Sequence, residues 1–185
     1  MDYFILAWNN LVDFINSQET LRIVMANRFF LILLVIVLSS MKHASYSSMF
    51  VAALVNIPGT ILHETAHFLV GLVFNAKPTS FSLFPRKSGG VYVMGSVGFR
   101  NITFYNALPA AMAPLLLLPI GFYLNRYFFT AVNISIWTYL FYILLQTIII
   151  ENSLPSSTDF RVGFKYISGV AIYGALLILY LALFL

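Results

Sequence analysis

Cysteine is absent from the 185 residues, so the chain can form neither a disulfide nor a thiolate metal ligand. Any metal it held would have to sit on histidine or carboxylate. Charge is scarce too: 9% of residues are Asp, Glu, Lys or Arg, and six are acidic. No cluster of basic residues with interleaved aromatics is present, which excludes a nucleic-acid groove. The net charge of +4 is spread among connecting segments and suits an anionic membrane leaflet better. Asp2 precedes the first apolar residues and no basic n-region leads them, so no cleavable signal peptide is expected. No internal repeat is visible.

What the chain has in quantity is apolar residues, 61% of the total, with a mean hydropathy of +0.90. This composition predicts an all-α polytopic membrane protein, a single domain over residues 1–185. Five transmembrane helices are expected, over about Arg22–Ser40, Met49–Phe74, Ala107–Leu124, Ala131–Ile150 and Lys165–Leu185. The third contains Pro109, Pro114 and Pro119. Ahead of them, Phe4, Trp8, Leu11 and Ile15 recur with helical period within residues 1–20, predicting a short helix lying in the membrane interface. The 75–106 segment reads differently. Ser80–Phe84, a Pro85–Gly90 break and Val91–Met94 predict strand, turn, strand, a small β-hairpin.

On these boundaries eight basic residues fall on the side of the amino terminus and two, Lys42 and Arg126, on the other. That bias predicts a cytoplasmic amino terminus, with residues 63–67 nearer the cytoplasmic face.

Within the second predicted span lies His63-Glu64-Thr65-Ala66-His67. Histidines four apart on a helix share one face, one turn apart, and both can reach one cation. Glu64 is placed as a general base on water. Two structural histidines bonded across helices would be the plain alternative, but a pair at this spacing with Glu after the first is far more specific for metal. A third ligand must come from the remaining acids. Asp2, Asp13 and Glu19 lie in the amino-terminal arm, leaving Asp159, which follows Pro155-Ser156-Ser157-Thr158 at a predicted helix start, and Glu151 as the reserve. Asp159 also fits an acid placed to favour a helix dipole. Asn152 either satisfies freed backbone or holds substrate. His43 is expected in a solvated loop, Gln146 and Asn133 as interhelical hydrogen bonders, and Gly71 as a point of close helix packing.

The order of His63–His67, the Phe81–Val93 hairpin, Ala113-Pro114 and the Asn152–Asp159 stretch resembles the site-2 protease family of intramembrane zinc metalloproteases and its smaller zincin relatives, over roughly residues 50–165. Thr158-Asp159-Phe160 stands where that family has Leu-Asp-Gly. The resemblance implies zinc on His63, His67 and Asp159, Glu64 as catalytic base and Asn152 in contact with substrate. It also implies hydrolysis of a membrane protein or peptide within the lipid bilayer, the hairpin lending an edge to the unwound substrate. The rival expectation is a non-catalytic membrane protein that binds metal as a scaffold, sensor or transporter.

Overall fold

The computed structural model describes residues 9, 12–13, 17, 28–44, 49–84, 86–88, 91–93 and 95–184. Most of the amino-terminal helix expected over residues 1–20, and the hairpin break at Pro85 and Gly89-Gly90, lie outside them.

Helix α1 runs over Arg28–Ala44 and α2 over Met49–Val73. Strands follow at β1 Pro78–Ser82, β2 Arg86–Ser88, β3 Val91–Val93 and β4 Ser96–Phe99. Then come α3 Ala107–Ala111, a short 3-10 helix Ala113–Leu116, α4 Leu117–Ala131, α5 Ile136–Asn152, α6 Ser157–Gly163 and α7 Ile167–Phe184.

Among the described residues no helix is long and apolar enough to cross a membrane. This corrects the five-span membrane fold, the lipid-embedded site and the cytoplasmic orientation drawn from it. The reason is local. Over the described residues, helices α1, α4, α5 and α7 have 17, 15, 17 and 18 residues, about 23–27 Å at about 1.5 Å per residue against a hydrocarbon core of about 30 Å. Helix α2 has 25 residues, but Asn56, Pro58-Gly59-Thr60 and His63–His67 interrupt its apolar run. With no described helix long and apolar enough to cross, the uneven count of basic residues assigns no inside or outside.

The prolines divide the predicted third span. Pro109 and Pro119 each occupy the first turn of a helix and Pro114 the start of the 3-10 helix, where a missing N–H costs no intrahelical bond. Helix α4 then runs on through Ala131, and α5 starts at a capping box in which Ser135 and Thr138 exchange side-chain and backbone hydrogen bonds. Lys42 and His43 belong to the last turn of α1, where a cation suits the helix dipole, rather than to a loop.

The hairpin is also redrawn. β1 pairs antiparallel with β4, Phe81 opposite Val97, while β2 and β3 form a second, inner pair. Gly71 permits close approach of β4, since a Cβ there would strike the Phe99 ring. The core between α4 and α5 stacks Phe128 on Tyr142 at 4.2 Å, with Tyr139 and Ile143 buried beside them and Leu34 and Leu38 of α1 packed against the cluster. Burial pushes the Tyr142 phenol up to about 12. Gln146 is buried and donates from Nε2 to the Gly121 carbonyl at 2.8 Å, tying α5 to α4. Large apolar side chains also remain outside, Trp137 and Ile167 among the most exposed.

Candidate metal centre

His63 and His67 project from one face of α2, their ring centroids 4.8 Å apart. Each ring is held from behind. His63 Nδ1 donates to the Asn152 carbonyl at 2.9 Å and His67 Nδ1 to the Ala110 carbonyl at 2.8 Å. A carbonyl oxygen can only accept, so both Nδ1 atoms carry hydrogen and each Nε2 of a neutral ring turns its lone pair forward. The two Nε2 atoms lie 3.2 Å apart.

Asp159 closes the third side. Its Oδ2 is 3.5 Å from His63 Nε2 and its Oδ1 3.3 Å from His67 Nε2. The carboxylate is aimed by its own helix: Ser156 N–H donates to Oδ2 at 2.7 Å, and Asp159 N–H donates to Ser156 Oγ at 3.2 Å. Asp159 is thus the third residue of a capping box opening α6. The helix-start role and the place facing the histidines are held by one side chain.

Two lone pairs and a carboxylate converging at these distances repel one another unless positive charge lies between them. Burial disfavours a charged His63, but hydrogen bonds to Asp159 and the Asn152 carbonyl and the charge of Glu64 outweigh it and raise its pKa. Burial would likewise raise Asp159, yet hydrogen bonds from His63, His67 and Ser156 hold its carboxyl far below the usual range. A cation can replace that proton. Four donors about 2.0–2.2 Å from a tetrahedral zinc stand about 3.3–3.6 Å from one another. The two Nε2 atoms, 3.2 Å apart, are close to one edge of such a figure. The carboxylate meets the rings with different oxygens, Oδ2 on His63 and Oδ1 on His67, and with one ligand atom from each residue the three lie within 4.8 Å of one another. The donor set, two imidazoles and a carboxylate, suits zinc and leaves a fourth position.

Glu64, next along α2, is 6% exposed. Burial raises its carboxyl above the ordinary value, with the two histidines opposing and Asp159 reinforcing the shift. Over it lies Gly95, just before β4. A Cβ at residue 95 would fall 2.7 Å from Glu64 Oε1, and would also collide with the methyl of Thr60.

The remaining expected residues are placed elsewhere. Glu151 does not join the cluster: it is bonded to Lys42 and Ser39 of α1, and these hydrogen bonds overcome burial and lower its pKa. Asn152 borders the cluster through its backbone. Its side-chain Nδ2 donates to the Ile148 carbonyl at 2.8 Å, and the amide packs against Gly59 of α2, where any Cβ would collide with it. His43 Nδ1 pairs with the Ser39 carbonyl, 2.8 Å away.

Compared with protein-family models, curated proteins and solved structures, the chain matches none. The chemistry must therefore be read from the site. Sequence reasoning missed the carbonyls of Ala110 and Asn152 and the glycine at 95. A backbone carbonyl leaves no trace in residue identity, although the prolines at 114 and 155 were visible.

Proposed function

We propose that this chain is a zinc-dependent peptidase, with His63, His67 and Asp159 as metal ligands and Glu64 as general base. The observation that carries the reading is the convergence of two backbone-anchored imidazoles and one carboxylate within 3.2–3.5 Å, beside a buried glutamate of raised pKa. Bound there, zinc would supply Lewis acidity, polarising a substrate carbonyl and acidifying water towards neutrality.

The chain's own residues do the rest. Glu64 accepts a proton from the attacking water and returns it to the departing amine. Gly95 and Thr60 keep its carboxylate out of bulk water. An extended peptide is the substrate form that suits the place: β4 begins one residue past the Gly95 contact, and a two-stranded ribbon offers an outer edge for strand addition. We assign Asn152 to support of His63 rather than to substrate, because its amide is engaged with Ile148 and Gly59. The order of motifs similar to the site-2 protease family supports the peptidase chemistry. That family's intramembrane setting does not carry over, since no described helix can cross.

The test is cleavage of a library of unstructured peptides by the purified zinc-loaded chain, beside Glu64→Gln. Cleavage is expected to require zinc and to fall by about 10²–10⁴-fold in the variant, the usual contribution of a positioned base, while zinc stays bound. Undiminished cleavage by Glu64→Gln removes the base assignment. Zinc binding with no hydrolysis by the wild type leaves a non-catalytic metal protein.

A further inference from the structure

The two carbonyls that hold the rings are free to do so for a reason written in the chain. In a continuing helix the carbonyl of residue i accepts the N–H of residue i+4. Residue i+4 from Ala110 is Pro114, which has no N–H. Two nearby donors are turned elsewhere: Met112 N–H goes to the Leu108 carbonyl and Leu115 N–H to the Met112 carbonyl. The Ala110 oxygen is left to His67 Nδ1.

The second carbonyl is released in a related way. Asn152 is the last residue of α5. Residue i+3 is Pro155, again without an N–H, and residue i+4 is Ser156, whose N–H is taken by Asp159 Oδ2 at 2.7 Å. The carboxylate facing the histidines therefore also occupies the donor that would compete with His63 Nδ1.

We propose that Pro114 and Pro155 are positioning residues of the metal centre, acting by the absence of an N–H, which reserves the carbonyls of Ala110 and Asn152 for His67 and His63. The inference rests on the metal reading above and deepens it: ligand orientation is set by two helix interruptions on segments far apart in the chain. Groups behind a ligating histidine fix its tautomer and raise its basicity, and losing one typically costs about 10–100-fold in metal affinity.

The experiment compares three forms of the full-length chain by zinc titration against a competing chelator: wild type, Pro114→Ala, and a chain with lactic acid ester-linked at position 114. Alanine restores the N–H. The ester has neither N–H nor ring. Zinc affinity is expected to fall about 10–100-fold in Pro114→Ala and to return to the wild-type value in the ester form. A proline that matters only for its rigid ring would leave the ester form as weak as alanine, and that result overturns the proposal. Unchanged affinity in Pro114→Ala overturns it as well. Pro155→Ala should weaken zinc through His63 in the same manner.

Should alanine at 114 prevent folding, ring tautomers in the metal-free wild type decide the matter. At a pH high enough to leave the rings neutral, which for His63 lies above the ordinary imidazole range, nitrogen chemical shifts should give both His63 and His67 as Nδ1–H forms, and a neutral ring with its hydrogen on Nε2 refutes the proposal. A wild-type chain that binds no zinc sinks the metal reading itself. Zinc binding that is indifferent to both prolines sinks only this inference.

Discussion

His67 Nε2 and Asp159 Oδ1 lie 3.3 Å apart, although one belongs to the C-terminal half of α2 and the other to the first turn of α6. Neither could be brought there by local structure. The α5–α6 connection delivers the carboxylate: Asn152 docks on Gly59 and His63, and the Ser156 capping box turns the chain so that Asp159 faces back to α2.

The proposed ligand set makes a direct prediction. Asp159→Ala, His63→Ala and His67→Ala should each abolish stoichiometric zinc in the purified protein, while Glu151→Ala should retain it, because Glu151 is turned to Lys42 and Ser39. Metal analysis of the four variants is the check. Loss of zinc in Glu151→Ala alone would move the third ligand to that residue.

Gly95 should behave as a residue of the reaction rather than of metal binding. A methyl group there would sit 2.7 Å from Glu64 Oε1 and must displace it. A displacement of about 1 Å at a reacting group costs roughly 10²-fold, so Gly95→Ala should lower kcat by about that factor with zinc affinity unchanged. Equal turnover in the two proteins would show that the Gly95 contact does not position the base.

The Lys42–Glu151 pair links α1 to α5, and its side chains are 16% and 17% exposed. Burial tends to raise Glu151, but the hydrogen bonds from Lys42 and Ser39 prevail and its folded pKa lies below the ordinary 4.5. A depressed carboxyl contributes stability that is present above the unfolded value and lost as pH falls through the folded one. A double-mutant cycle of Lys42→Met and Glu151→Gln by urea unfolding should give a coupling of about 1–3 kcal/mol at about pH 7. That coupling should shrink only below pH 4.5. A coupling independent of pH would mean that the contact is not ionic.

The His63-Glu64-His67 arrangement was legible because it is local: four residues on a helix suffice to put two rings on one face. Asp159 could be picked out because the chain has so few acids and because Pro155-Ser156 announces a helix start. The membrane reading failed for the opposite reason. Composition counts apolar residues without saying how many share one helix, and Pro109, Pro114, Pro119 and Ser135 cut the apolar stretches into pieces of 4–17 residues. The strand partner of Phe81 was also misread. Val97, rather than the nearer Val91–Val93 stretch, lies opposite it, since an inner hairpin intervenes.

Residue order alone therefore determined the chemistry within reach: which side chains can hold a cation, which one can take a proton, and where helices must stop for want of an N–H. Tertiary structure decided which of two carboxylates faces the histidines, which carbonyls lock the rings, and that Gly95 covers Glu64. Those depend on contacts between segments distant in the chain, and such contacts are set by packing and backbone direction, which residue identities do not encode one position at a time.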